Sequence, residues 1–429
     1  MPRLPIWIQN YRSLPRPVVL FAGGQFMINL ITATQFLLLN LFLKDQGLDD
    51  PTIAALGSNR FLAALLLALP AGLWLRGKPL KRPLIAGSIL YPIATLASIE
   101  FARLGMLNAA TVGFLGTGVA ILLINVASLP MVLRLAPDNR SSEALSLLFA
   151  TWAAASICGS VLSTILQAIG SVNIASLTIP LNEHTTLVIV TLIACSAPFF
   201  YASLPNPPPT KQSLKHWMHI PKKDWPLILR SVFPTVCIAT GAGLSIQFLN
   251  LFFSNVHDVS SRDYSAYSMV SNVFVLLVGL SVPEIKRRLG WRGAILGVQT
   301  IAMVLLVILG LTELIRAISW ALPLAVLCFV LRQPLMNMAG PSTSELIMRY
   351  VGPHNRELLS ACNGAMWSGA WWIAARSFQL LRANDFPYWQ IFLMTAALYL
   401  IGTLSYLGLI RTVEKSTEET TNESVTVSS

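Results

Sequence analysis

Apolar residues run along this chain in blocks of about 20, the length a helix needs to cross a hydrocarbon core of roughly 30 Å. Twelve such blocks are predicted, over residues 17–43, 51–75, 83–102, 106–133, 144–169 and 185–204, then 230–254, 264–285, 293–312, 317–341, 358–381 and 387–410. Six fall on each side of a polar break from Leu204 to Leu229, which carries Pro205, Pro207, Pro208 and Pro209 with Lys211, Lys215, Lys222 and Lys223. The pattern predicts an all-α polytopic membrane protein with twelve transmembrane helices. They are arranged as a six-helix bundle over 1–204, an aqueous linker over 205–229, a second bundle over 230–411, and a tail over 412–429 whose Ser, Thr and Glu content predicts disorder. No small-residue cleavage site follows the first block, so it is read as a retained helix rather than a signal peptide.

The two halves echo each other. Pro137-Asp138-Asn139-Arg140 returns as Pro353-His354-Asn355-Arg356, each followed by an apolar run. Asn40-Leu41-Phe42 lines up with Asn250-Leu251-Phe252, and Arg82 to Gly87 with Arg292 to Gly297, at one shared offset. Such pseudo-symmetry is the mark of duplicated transporter bundles that alternate access to a central site.

Composition agrees with the pattern: 54% of residues are hydrophobic and 11% charged, against roughly 25% charged in an average soluble domain. The formal charge of +11 is a topology signal. With the N-terminus inside, 22 of the 30 Lys and Arg fall in inner loops, and only Lys44, Arg103, Arg262, Arg316 and Arg382 fall outside. Both termini are therefore expected in the cytoplasm of a multi-pass inner-membrane protein, and nucleic-acid binding is not needed to explain the charge. The five cysteines lie within spans at unrelated spacings and read as buried hydrophobes. Every histidine is in a loop or the linker; His216 and His219 lack a third ligand nearby, so neither a metal nor a cofactor is implied.

Polar residues inside the spans are the candidate chemistry. Gln25, Asn29 and Thr32 recur at i, i+4 and i+7 on the first span, Thr240 and Gln247 share a face of the seventh, and Gln333 and Asn337 stand at i, i+4 on the tenth. Asn125 lies near the middle of the fourth. Each is either a substrate contact or an interhelical hydrogen bond, worth roughly 0.6 kcal/mol on average. Two charges are more pointed. Arg60 is about 14 Å into the second span at 1.5 Å per residue, and Arg332 is comparably deep in the tenth. An arginine at a helix centre costs on the order of 2.5–3.5 kcal/mol, and no Asp lies at matching depth. A guanidinium without a carboxylate suits bidentate recognition of a carboxylate or phosphate on a substrate; backbone carbonyls are the alternative partner. On the eleventh span Asn363, Trp367 and Trp371 share one arc, while Trp372 and Arg376 face the other way as a candidate cation–π pair; with Arg382 six residues on, outward snorkelling is the favoured role of Arg376.

The chain resembles the major facilitator superfamily over essentially its whole length. The likeness rests on the six-plus-six plan, the half-to-half repeat, and basic loops after the second and eighth spans. In that family the loop runs Gly, three residues, Asp, a basic residue, one residue, Gly and a basic pair. Here Gly72-Leu73-Trp74-Leu75-Arg76-Gly77-Lys78-Pro79-Leu80-Lys81-Arg82 keeps the opening glycine and the cations. Pro283-Glu284-Ile285-Lys286-Arg287-Arg288-Leu289-Gly290-Trp291-Arg292 keeps the later glycine and cations. Arg76 and Arg287 stand where the family has Asp, which leaves Glu143, Glu284 and Glu357 as carboxylates that would replace the missing lock. The resemblance implies gating roles for Gly72, Arg76, Lys78, Lys81, Arg82, Arg140, Glu143, Arg287, Arg288, Gly290, Arg356 and Glu357, or a topology signal alone. It also implies a cavity lined chiefly by the first, fourth, seventh and tenth helices. The substrate-contact set is then Gln25, Asn29, Thr32, Arg60, Asn125, Thr240, Gln247, Arg332, Gln333, Asn337, Asn363, Trp367 and Trp371. The expected function is secondary transport of a small organic solute, preferably an anion, by a monomer in the lipid bilayer. Broad-specificity efflux of amphipathic compounds and a non-transporting membrane sensor are the alternatives. An intramembrane enzyme is the least expected reading, since it needs a general base or nucleophile–base pair at depth, whereas every His lies in a loop and no Asp is buried.

Overall fold

The computed structural model describes residues 14–75, 79–137, 141–174, 177–206 and 225–427. The chain divides into two compact units, Met1–Ser213 with Val259–Met269, and Leu214–Asp258 with Val270–Ser429. Among the described residues, ten helices are long and apolar enough to cross a membrane. The expected blocks at 264–285 and 358–381 are not among the ten; each is helical but lies within a longer element.

The first unit runs α1 Arg16–Asp45, α2 Asp50–Leu75, α3 Lys81–Arg103, α4 Leu107–Leu135, α5 Ser141–Ile169, α6 Glu183–Ala194 and α7 Ala197–Ala202. Pro17 stands in the first turn of α1, where its missing N–H costs nothing. Asn182 caps α6 by accepting the Thr185 amide at 3.1 Å. The sixth block is thus two helices broken at Cys195 and Ser196, with Pro198 at the restart. An antiparallel hairpin joins α5 to α6, β1 Ser171–Ile174 against β2 Leu177–Pro180, with Val172 opposite Ile179; it is an addition to the all-α expectation. The core gathers Phe21, Ile28, Ile31, Tyr91, Ile124, Met131 and Tyr201, all at most 1% exposed.

The second unit runs α8 Trp225–Ser245, a 3₁₀ turn Ile246–Phe248, α9 Leu249–His257, α10 Ser261–Arg292, a π turn Gly293–Gly297, α11 Val298–Leu311, α12 Ala321–Ala383 and α13 Tyr388–Val427. The first residues of α10, through Met269, pack with the first unit. Ser265 Oγ meets Ser163 Oγ at 2.9 Å, and Ser261 Oγ lies 2.8 Å from Gln167 Oε1 and also contacts the Glu183 carboxylate, so its one proton is shared between the two acceptors. Gly290 has φ 63°, a left-handed conformation that costs glycine little, and it marks a kink in α10. The last helix continues past the expected boundary at 411.

α12 takes in two predicted spans, and the chain reverses direction between them. Phe329 and Phe378 would stand roughly 74 Å apart on a straight helix at 1.5 Å per residue. In the structure they are linked through Phe253, Phe252 and Tyr388 by ring contacts of 5.5, 5.5, 5.7 and 6.2 Å. Likewise Arg332 bonds Tyr399, whose ring packs on Gly241, while Trp371 packs on Gly243. The chain therefore turns back between Arg332 and Trp371, giving two antiparallel crossings. The gap predicted between the blocks 317–341 and 358–381 falls in this interval.

Candidate substrate site

In the first unit the predicted polar face of α1 is real and mostly self-satisfied. Gln25 Nε2 donates to Asn29 Oδ1 at 3.2 Å, and Asn29 Nδ2 donates to Thr151 Oγ1 of α5 at 2.9 Å. Gln25 Oε1 accepts Ser128 Oγ of α4 at 3.1 Å and Tyr201 OH of α7 at 3.3 Å. Thr32 Oγ1 lies 2.9 Å from Tyr91 OH of α3. In hydrocarbon such bonds join neighbouring helices, and the buried Gln25 thereby ties α1 to α4 and α7.

Phe36 continues that face at i+11 from Gln25. The Arg60 guanidinium lies 4.7 Å from its ring centroid and 4.8 Å from that of Phe61. Arg60 Nε is buried with no hydrogen-bond partner, and no carboxylate pairs with the side chain among the described residues. Phe36 also meets Trp152 edge-on at 6.2 Å. Neither Phe36 nor Trp152 was singled out from the sequence; the signal available was the i+11 position of Phe36. Asn125 is exposed on α4 and makes no hydrogen bond among the described residues.

In the second unit Arg332 is 3% exposed. Its Nη2 donates to Tyr399 OH of α13 at 3.1 Å, while Nε is buried and unpartnered. Gln333 is half-buried, and its carbonyl accepts the Asn337 side chain at 2.9 Å, on the exposed side of α12. Thr240 is half-buried on α8. Gln247 does not keep the helical spacing from Thr240, because the 3₁₀ turn intervenes; its Nε2 donates to the Gly243 carbonyl at 2.7 Å. Trp367, 41% exposed, packs on Trp371 with ring centroids 6.0 Å apart. Trp372 and Arg376 form the candidate cation–π pair at 5.9 Å, and Arg376 Nη1 donates to Gln379 at 2.8 Å.

Of the gating set, Lys81 Nζ donates to the Leu204 carbonyl at 2.6 Å, fixing the start of α3 to the end of the first unit. Arg82, Arg287 and Arg288 are exposed. Arg76, Lys78 and Arg140 lie outside the described residues, as do the surroundings of Gly72 and the side chains of Glu143, Glu284, Arg356, Glu357 and Asn363. Among the described residues no group of three or more His, Cys, Asp or Glu is placed to hold a metal ion.

The chain is similar in fold to three solved transporters. A bacterial homologue of the iron transporter ferroportin, inward-facing, aligns at TM-score 0.69 and 16% identity, over 92% of this chain and 98% of that one. The nucleoside transporter NupG aligns at 0.69 and 15%, over 92% and 100%. A D-xylose–proton symporter aligns at 0.68 and 13%, over 90% and 96%. No curated protein sequence matches the chain. Residues 21–375 match the Major Facilitator Superfamily model, and with the helices and the basic loops already described this makes the chain a multi-pass membrane transporter belonging to that superfamily rather than an enzyme.

Proposed function

We propose that the chain is a secondary transporter of a small organic anion, working by alternating access as a monomer in the inner membrane with both termini cytoplasmic. The observation that carries this reading is that Arg60 and Arg332, each in the middle of an apolar span, have no carboxylate partner among the described residues. Each costs on the order of 2.5–3.5 kcal/mol to hold in hydrocarbon. A substrate carboxylate or phosphate offsets that cost through charge-assisted, two-point hydrogen bonds. Reorientation is then easier with the anion bound than without it, which favours facilitated diffusion or exchange of anions over proton coupling.

The test is flux of radiolabelled organic anions into liposomes containing the purified protein. Arg332→Ala abolishes uptake, and Arg332→Lys weakens it, because the ammonium keeps the charge and loses the fork. Undiminished uptake by Arg332→Ala refutes the role of this residue. The exposed Trp367, paired with Trp371, supports a second reading, efflux of amphipathic compounds against a stacking wall. Flux of neutral dyes in preference to anions selects it, and absence of any flux selects a sensor.

A further inference from the structure

We infer that the Arg60 region of the first unit is a subsite for an anion that carries an aromatic ring: the guanidinium takes the carboxylate or phosphate, and Phe36 with Trp152 takes the ring. This deepens the anion reading above and rests on it.

Arg60 carries five N–H donors in one plane. A structural arginine in a membrane bundle finds backbone carbonyls or an acid for them, whereas none of the five has a partner here among the described residues, and Nε is sealed from solvent. Phe36 and Phe61 approach to 4.7 and 4.8 Å, within cation–π range. An anion approaching the guanidinium edge finds parallel donors in the fork geometry that fits carboxylate or phosphate.

The surroundings define the rest of the ligand. Phe36 bridges the cation to Trp152, through contacts of 4.7 and 6.2 Å in series. Trp152 is 42% exposed, although it neighbours Thr151, which is buried and accepts the Asn29 bond. The α1 face thus changes from hydrogen-bonded polar groups at Gln25, Asn29 and Thr32 to an aromatic surface at Phe36, with the unpaired charge on that surface. A short aliphatic anion would use the guanidinium and leave the Trp152 face uncovered. A ringed anion covers both, since aromatic rings add edge and offset contacts beyond simple burial.

The experiment is thermal unfolding of the detergent-purified full-length protein, followed by labelling of the buried thiols Cys237 and Cys328. The probes are 2-naphthoate, 2-naphthyl phosphate, acetate and 2-naphthalenemethanol. The two ringed anions raise the unfolding temperature saturably, and the tighter of them names the headgroup; acetate and the alcohol bind at least tenfold more weakly. Arg60→Lys lowers affinity for the ringed anions at least tenfold. Trp152→Leu lowers it several-fold, and because that side chain is exposed the variant folds; Trp320→Leu, also exposed, leaves it unchanged. Acetate binding as tightly as naphthoate, with no effect of Trp152→Leu but loss in Arg60→Lys, overturns the ring subsite and leaves the anion reading standing. Tight binding of the alcohol, insensitive to Arg60→Lys, overturns both. No saturable shift with either ringed anion overturns the subsite.

Discussion

Replacing Gly118 of α4 with alanine tests how closely α2 must approach α4 to hold Arg60 in place. A Cβ built on Gly118 falls 2.2 Å from the Arg60 carbonyl oxygen and 2.8 Å from the Ala63 Cβ, whereas ordinary contact begins near 3.4 Å. The obstructing atom is backbone, so no rotamer change relieves it, and the two helices must part by a little over an ångström. Overpacking of this kind costs about 1–3 kcal/mol, offset by the roughly 0.5–1 kcal/mol that alanine gains over glycine inside a helix. The net loss runs from about 0 to 2.5 kcal/mol, which at roughly 2–4 °C per kcal/mol for a unit of this size lowers the unfolding temperature by up to about 10 °C, and leaves Gly118→Ala about 1–3 kcal/mol less stable than a glycine-to-alanine change that meets no clash. Gly57, on α2, is the matched control: nothing lies within 4 Å of its Cβ position, so Gly57→Ala gains the helix term without the clash and unfolds at or above the wild-type temperature. The assay is thermal unfolding of both variants in the same detergent, with naphthoate titrated into each. Gly118→Ala also weakens naphthoate binding, because it displaces the backbone that carries the guanidinium. If Gly118→Ala is as stable as Gly57→Ala, the close α2–α4 contact is not a constraint and the argument for a positioned Arg60 fails with it.

Tyr399→Phe removes the hydrogen bond that Arg332 makes among the described residues while keeping the ring against Gly241, and should cost about 1–3 kcal/mol, seen as a lower unfolding temperature; an unchanged temperature would show that the guanidinium does not depend on the phenol. A cysteine at Asn173, exposed on the β1–β2 hairpin, should react with an impermeant maleimide in intact cells, while tags at both termini stay protected; a labelled C-terminal tag would invert the orientation. Glu100 is held by Arg103 and His184, each at 2.7 Å, with its side chain 37% exposed, so it is poorly placed to carry a proton through the cycle. A pH gradient at zero potential should therefore drive no uphill accumulation in liposomes, and accumulation lost in Glu100→Gln would reverse that conclusion.

Some of this protein could be read directly from the order of its residues, because hydrocarbon imposes local rules. Backbone polar groups in lipid must be satisfied within the helix, so runs of about 20 apolar residues had to become helices. Helical spacing then put Gln25 beside Asn29 and Trp372 beside Arg376, pairs that the structure shows at 3.2 and 5.9 Å. What the order of residues did not reveal depended on non-local choices. The two crossings expected at 317–341 and 358–381 fall within the one element α12, and contacts between distant rings expose the reversal between them. The spacing of Thr240 and Gln247 assumed a regular helix, and a 3₁₀ turn rotates Gln247 to the Gly243 carbonyl. Arg60 was legible as a deep charge, but its aromatic setting was not, because Phe36, Phe61 and Trp152 come from three helices that meet only in the folded bundle. Likewise the start of α10 joins the first unit through Ser261 and Ser265, a partnership that sequence distance argued against. Periodicity fixes which side of a helix is polar; which neighbour that side meets is decided by close packing of the whole bundle.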